Sequence, residues 1–340
     1  MQVTTVGLDL AKHVFQVHGV DRRGRVVLRK RLSRSRLLDF FANLPPCVIG
    51  MEACGGAHYW ARELQALGHE VRLMPPSYVR PYVKRNKHDP ADAEACCEAV
   101  TRPSMRFVPI KSVEQQSVLL LHRGRELLVR QRTQLVNALR GHLTEFGVVA
   151  AKGITKIGEL LALVADPTDQ RVPPLARDVL ALLVEQLRDT ERKIEDLERR
   201  LVAWHRTNEV SRRLATIPGV GPITATALVA TVGDPMFFTS ARHFAAWLGL
   251  TPRQHSSGER VWQGGISKRG SGYLRRLLVQ GAQSLLYWAR RRTCAHQAWL
   301  QGLRQRRPGN VVTVALANKT ARIAWAVMAR GEAFRATAAA

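Results

Sequence analysis

An α/β layer followed by an all-helical remainder is the fold class this sequence predicts, and three observations predict it. Short apolar runs separated by turn residues fill positions 3 to 32. Apolar strands and amphipathic helices then alternate to about position 100, and from Val113 onward the apolar period is helical.

The first group is VTTVGLDLA, VFQVHGV and VVLRKRL, with Asp21-Arg22-Arg23-Gly24 as the turn before the third run. That pattern reads as a three-strand meander. A helix is expected near Ser35 to Leu44, a strand over Cys47 to Met51, a helix from about Ala57 to Leu67, a strand at Glu70 to Met74 and helical pattern again from Ser77. Strands feeding helices in this order make an α/β layer with the meander on one side.

From Val113 to about Phe146 the pattern is helical, with Leu121, Leu128 and Leu135 seven apart. It resumes after a break marked by Asp166-Pro167 and Pro173-Pro174. There Leu180, Leu183, Leu187, Thr190, Ile194, Leu197, Leu201 and Trp204 alternate three and four apart, which is a coiled-coil seam. Asp189 and Lys193, Glu195 and Arg199, and Asp196 and Arg200 are acid-then-base pairs four apart, suited to an exposed flank. The seam reads equally as a two-helix hairpin packing on itself and as a surface joining subunits. Beyond Asn208 the composition shifts to Gly, Thr and Ala with scattered basic residues, marking a third, mainly helical domain. The expected boundaries are 1–110, 111–207 and 208–340.

The chain has 340 residues, with 52 Lys plus Arg against 27 Asp plus Glu, a net charge of +25 and a pI of about 11.1. Such an excess calls for a polyanionic partner, nucleic acid first. The excess is clustered: Arg22 to Arg36 carries eight basic residues and no acid, and Arg290 to Arg307 carries six and no acid. A membrane is not expected as partner, because the apolar stretch Val311 to Ala329 is interrupted by Lys319 and Arg322. The start, MQVTTVGLDLAKHVF, lacks a basic leader, so a cytoplasmic protein is expected. Cys47, Cys54, Cys96, Cys97 and Cys294 have neither CxxC nor Cys/His finger spacing and read as reduced, mostly buried thiols.

Asp9 sits inside the first strand, where an apolar residue would be ordinary; its carboxylate must face a metal, a basic partner or solvent. Glu52 ends the strand CVIGM, and strand ends of an open α/β sheet line its ligand crevice. Asp89 and Asp92, in KHDPADAEACCEAV, project near one face of a helix's first turn if Asp89 opens that helix. Helix capping explains the same pair: Asp89 before Pro90 suits an N-cap, and Asp92 complements the helix dipole. The four acids together suit two divalent ions about 4 Å apart acting on a phosphodiester. Oxygen-only ligation favours Mg²⁺ or Mn²⁺ over zinc.

Further along, IPGVGPITATALVA places Gly219 and Gly221 between short helical segments, as in a helix-hairpin-helix element that holds a phosphate on backbone N–H groups. A plain glycine turn between packed helices is the competing reading. The stretch Leu248 to Leu278 is dense in Gly, Ser and basic residues. Arg253, Arg260, Lys268, Arg269, Arg275 and Arg276 are candidate phosphate contacts, and Ser256, Ser257, Ser267 and Ser271 offer hydroxyls.

With Asp9, Glu52, Asp89 and Asp92 in that order, then IPGVG and the LTPRQHSSGE…GGISKRGSGYLRR block, nearly the whole chain resembles the DEDD-type insertion-sequence transposases, the bridge-RNA-guided serine recombinases. The resemblance implies an N-terminal RuvC-like domain of the ribonuclease H fold, a coiled-coil middle and a C-terminal transposase domain. It places the catalytic serine at Ser257, the second serine of HSSG. It also implies Mg²⁺ held by the four acids, attack of the serine on donor and target DNA, a structured guide RNA pairing with both, and a homo-oligomer. Two other functions fit the residues alone: a RuvC-like junction nuclease using metal-activated water, and a non-catalytic nucleic-acid binder whose acids only cap and pair.

Overall fold

Alternation along the opening runs produces three antiparallel strands, β1 (Thr5–Leu10), β2 (Val14–Val20) and β3 (Val26–Ser33). Asp21 fixes the turn before β3: its carboxylate accepts the Arg23 and Arg25 amides at 2.8 and 3.0 Å and the Arg25 Nε at 3.0 Å, while Gly24 takes φ +75°. The computed structural model describes residues 2–84, 88–151, 153, 156–258, 260–289 and 296–335. The chain divides into two units, Met1–Val113 and Glu114–Ala340.

In the first unit the meander is followed by α1 (Leu37–Ala42), β4 (Val48–Glu52), α2 (Ala57–Ala66), β5 (Glu70–Met74), α3 (Pro76–Val79) and α4 (Asp89–Val100). The sheet order is β3-β2-β1-β4-β5, with β4 and β5 parallel to β1. This mixed five-strand sheet is consistent with the ribonuclease H-like layout that the resemblance implies. Side-chain alternation gives the sheet one continuous apolar face, covered by α1 and α2. Val6, Leu8, Phe15, Val17, Leu32, Ile49, Met51, Val71 and Leu73 pack with Leu37, Phe41, Trp60 and Leu64 of α1 and α2. On the other face lies α4, with Cys96, Ala99 and Val100 packed around Met74 and Val79.

The second unit contains α5 (Val113–Thr144, its first residue in the first unit), α6 (Ile157–Ala165), α7 (Pro174–Thr207), α8 (Glu209–Leu214), α9 (Pro222–Val232) and α10 (Ala241–Trp247). A hairpin, β6 (Pro252–Ser257) and β7 (Arg260–Ile266), precedes α11 (Gly272–Trp288), α12 (Gln297–Arg306) and α13 (Gly309–Arg330). The heptad seam on α7 is used inside the chain. Leu180 and Leu187 are buried with Val136, Leu139 and Leu143 of α5 and Leu160 of α6, while Leu201 is buried with Val118. Two polar contacts fix the antiparallel sense of α5 and α7: Arg125 Nε to Glu198 Oε1 at 2.7 Å and Trp204 Nε1 to Glu114 Oε1 at 2.8 Å. Of the expected flank pairs, Asp189 with Lys193 and Asp196 with Arg200 form at 2.7 and 2.8 Å, whereas Arg199 turns to Asp196 instead of Glu195.

The core of the C-terminal part is built on α13, whose Val312, Leu316, Ala317, Ala321, Ala324 and Val327 are buried, with α13 packed against α8, α10 and α11. By length and composition α13 is apolar enough to cross a membrane, but this buried face and the mid-helix Lys319 and Arg322 describe the core helix of a folded domain. Among the described cysteines Cys47, Cys96 and Cys97 are buried and Cys54 is exposed, all four free; Cys294 lies outside the described residues.

Candidate active site

A repeated sequence pattern in two adjacent strands builds the acid cluster. Gly7-Leu8-Asp9 in β1 and Gly50-Met51-Glu52 in β4 each place a glycine and an acid on the same face, two residues apart. The parallel register aligns Gly7 with Gly50 and Leu8 with Met51, so the acids follow side by side one step later. Leu8 and Met51 point the other way into the α1/α2 core, fully buried.

The glycines let α4 lie directly on the sheet. A Cβ at Gly7 would fall 2.0 Å from the Ala93 carbonyl oxygen and 2.3 Å from the Cys97 amide nitrogen; one at Gly50 would fall 2.6 Å from Val100 Cβ. The small side chains on the helix, Ala93, Cys96 and Cys97, complete the close approach. Sequence reasoning missed these two glycines as site-forming residues, although the doubled Gly-x-acid pattern is present in the sequence.

Docked this way, the first turn of α4 carries Asp89 and Asp92 to Asp9, and one carboxylate oxygen from each lies within 4.8 Å of the others. The N-cap is His88, whose Nδ1 accepts the Ala91 amide at 3.1 Å, with Pro90 in the first turn. Asp89 is therefore helical and does not cap, which leaves its carboxylate for the cluster. Asp92 still complements the dipole of the helix start.

Burial pushes the Asp9 carboxyl up to about 6, reinforced by the charges of Asp92, Asp89 and Glu52 and opposed by a hydrogen bond from the Leu10 amide. Among the described residues no Lys or Arg forms an ion pair with Asp9, Asp89 or Asp92. Converging carboxylates without a cation repel one another, and an oxygen-only donor set of this kind fits a hard divalent ion.

The other candidates lie in the second unit. Ser257 ends β6 opposite Arg260, next to Gly258 at φ +57°, and is exposed. Its Oγ makes no hydrogen bond among the described residues, whereas Ser256 Oγ accepts from Gln254 Nε2 at 3.0 Å. Ser271 is committed as the N-cap of α11, accepting the Leu274 amide at 3.3 Å. Arg253 and Arg260 are exposed on the hairpin, beside Trp262, which packs on His255 at 5.0 Å between ring centroids.

The base of the hairpin is clamped. Gly270 and Gly249 pack back to back with the neighbouring turn, since Cβ atoms there would fall 2.0 Å from the Trp247 oxygen and 2.3 Å from the Arg269 oxygen. Lys268, between them, adopts φ +56°, a conformation unusual for a side-chain-bearing residue. Arg275 Nη1 donates to the carbonyls of Leu248 and Arg269 at 2.9 and 2.8 Å, and Arg276 pairs with Glu126. Both arginines thus hold structure, though Arg276 is itself exposed; Arg253, Arg260, Lys268 and Arg269 are the exposed cations of the block without such a contact among the described residues. Gly219, at φ +84°, packs against Gly281 of α11, whose added Cβ would lie 2.0 Å from the Gly219 oxygen. Gly221 precedes α9 with open space around it.

Two family models match different parts of the chain. Residues 6–148 match a DEDD-type transposase family model, and residues 211–297 match the model described as Transposase IS116/IS110/IS902 family. The chain is 52% identical over 336 residues to a probable family 20 transposase of Pseudomonas aeruginosa, covering 98% of this chain and 99% of that one. It is 50% identical over 335 residues to a putative transposase of Sinorhizobium fredii, covering 98% and 86%. It is 43% identical over 332 residues to the transposase for insertion sequence element IS1328 of Yersinia enterocolitica, covering 98% of each. With both models matched and relatives similar along almost the whole length, the chain belongs to the IS116/IS110/IS902 family of DEDD transposases.

Proposed function

We propose that this transposase, encoded by an insertion sequence, is a cytoplasmic RNA-guided DNA recombinase in which Ser257 is the nucleophile and Asp9, Glu52, Asp89 and Asp92 hold Mg²⁺. The observation that carries the reading is the meeting of Asp9, Asp89 and Asp92 on the α4 face of the sheet, within 4.8 Å and without a paired cation among the described residues. Glu52 falls outside that 4.8 Å group; one step beyond the Leu8–Met51 pair on the neighbouring strand, it shares the face of Asp9 and is the fourth ligand in this reading. When bound there, a divalent ion supplies Lewis-acid polarisation of a phosphate oxygen.

Ser257 Oγ attacks phosphorus, forming a serine–phosphate ester as the bond to the leaving sugar oxygen breaks; the hydroxyl proton goes to a base and the leaving oxygen takes one up. The phosphate bond energy is retained, so a second DNA end displaces the serine and strands are rejoined without hydrolysis. The Ser257 hydroxyl, without a hydrogen bond among the described residues, against the hydrogen-bonded Ser256, supports this choice of nucleophile. Arg253, Arg260, Lys268 and Arg269 supply phosphate contacts around it, with Gly219 and Gly221 shaping a backbone-mediated contact at the start of α9. Guidance by a structured bridge RNA pairing with donor and target DNA rests on the family resemblance and on the net charge of +25. Homo-oligomer formation is supported by the exposed stripe Leu175, Val179 and Leu182 on α7, on a face the internal seam does not use.

Trapping tests the serine. DNA incubated with the parent and divalent metal should yield a protein–DNA adduct that survives denaturation, absent in Ser257→Ala and retained in Ser256→Ala. The convergence of Asp9, Asp89 and Asp92 also suits a second reading, hydrolysis by water at the acid cluster with a divalent ion assisting. Under that reading Ser257→Ala still cleaves and no adduct forms in any variant.

A further inference from the structure

The sheet face that carries the acid cluster continues away from it as a basic groove. Register places Arg31 opposite Gln16 and Gln16 opposite Asp9; one row back, Arg29 stands opposite His18 and His18 opposite Gly7. All six therefore share the α4 face. Two strand spacings, roughly 10 Å, separate Arg31 from Asp9 in the backbone.

Between this strip and the start of α4 lies a groove of about 420 Å³, lined by Gln16, His18, Arg29, Arg31, His88 and Glu94, among others. Its volume falls within the range of small-ligand sites. The one acid in that lining, Glu94, is held by Lys84 at 2.8 Å. Arg29 and Arg31 are exposed and form no hydrogen bond or ion pair among the described residues. Lys30, between them, points to the opposite face, where its Nζ sits 4.8 Å from the Phe40 ring centre. The alternation thus aims two of three consecutive cations at the site side. Such unpaired guanidiniums beside a metal centre suit a phosphodiester, which they can bind with two parallel hydrogen bonds.

We propose that this groove seats two successive backbone phosphates of the DNA strand whose reacting phosphate lies at the acid cluster, with Arg31 and Arg29 supplying the positive charge. The proposal rests on the acid cluster being the reaction centre. A DNA strand laid across the sheet would pass from Asp9 on β1 over Gln16 on β2 to Arg31 on β3, so the next phosphates along fall to Arg31 and Arg29. His18 and Gln16 on the floor supply neutral donors for the sugar–phosphate edge.

The test uses the full-length protein with a fluorescein-labelled, mixed-sequence 20-nucleotide single-stranded DNA in EDTA, titrated across a range of salt. Arg29→Ala/Arg31→Ala should lower the slope of log K against log salt by about 1.4, two phosphate contacts at about 0.7 each. Arg29→Lys/Arg31→Lys should keep the parent slope, and so should Arg22→Ala/Arg23→Ala at the far turn. An unchanged slope in the double-alanine variant would overturn the proposal. So would an equal fall in the turn variant, or a loss confined to an RNA 20-mer of the same sequence. Mn²⁺ binding without DNA separates the two ideas: Asp9→Asn should lose it, whereas Arg29→Ala/Arg31→Ala should match the parent. If Asp9→Asn keeps Mn²⁺ affinity, the reaction-centre reading fails, while the salt slopes still decide the groove.

Discussion

Replacing Gly7 by alanine should separate α4 from the sheet and dismantle the acid cluster without touching an acid. The added Cβ would stand 2.0 Å from the Ala93 oxygen and 2.3 Å from the Cys97 nitrogen, both backbone atoms that no rotamer change can move. Ordinary contact begins at 3.4 Å, so the helix must retreat by about 3.4 − 2.0 = 1.4 Å along that direction. Overpacking of this kind costs about 1–3 kcal/mol. The consequence for metal is larger, because ligand distances must hold to within about 0.2 Å. Asp89 and Asp92 ride on α4 and would move with it, while Asp9 stays on β1. Urea unfolding and Mn²⁺ titration by electron paramagnetic resonance, both on the full chain, read the two effects. Gly55→Ala is the control, since a Cβ there meets nothing within 4 Å, and it should leave both unchanged. A Gly7→Ala protein with parental stability and parental Mn²⁺ affinity would refute the docking argument.

Asp92→Asn should reduce Mn²⁺ affinity strongly while costing at most about 1 kcal/mol of stability through the lost helix-dipole interaction; loss of stability alone, with metal binding intact, would make Asp92 a dipole residue only. His122 is buried, bonded to Tyr273 Oη at 2.9 Å and Thr226 Oγ1 at 3.1 Å, and burial, with the Arg125 charge adding, holds its imidazole down to about 4. The unfolded imidazole then binds a proton first, so stability is full above pH 6.5 and falls as the pH drops from 6.5 towards 4, by about 3 kcal/mol in all. Urea midpoints for the parent should show that fall and those for His122→Gln should lack it; parallel pH profiles would contradict the assignment. Gly281→Ala should destabilise the second unit by about 1–3 kcal/mol, because its Cβ meets the Gly219 oxygen, whereas Gly221→Ala should stay within about 0.5 kcal/mol. Equal melting temperatures for the two variants would contradict the Gly219–Gly281 packing.

The strands of the first unit were legible because alternation is a local signal. Val6 and Leu8 face one way, Gly7 and Asp9 the other, and the sequence displays that directly. Partner choice is not local, and that is where the heptad seam was undecided. Leu180, Leu187, Ile194 and Leu201 have the same spacing whether they meet α5 or a second copy; the contacts with Val136, Leu139 and Val118 settle the partner within the chain. The basic block behaves similarly. Composition shows six cations between Arg253 and Arg276, but only packing shows that Arg275 is spent on the carbonyls of Leu248 and Arg269 and Arg276 on Glu126.

The acid pair on α4 shows why a residue-by-residue reading stops short of the site. Asp89 before Pro90 fits an N-cap and a first helical residue equally well, and the two differ by one residue of helix phase. His88 decides between them by accepting the Ala91 amide, and a histidine is not among the residues a capping rule looks for. Once Asp89 is inside the helix, capping no longer accounts for its position beside Asp9 and Asp92. What accounts for it is helix height, set by Gly7 and Gly50 at a distance of more than forty residues in sequence from each other. A carboxylate that burial and three neighbouring acids push up to about 6 is costly to fold, so the arrangement makes physical sense when a cation completes it. The same glycines that make room for the helix therefore also fix where that cation's oxygens stand.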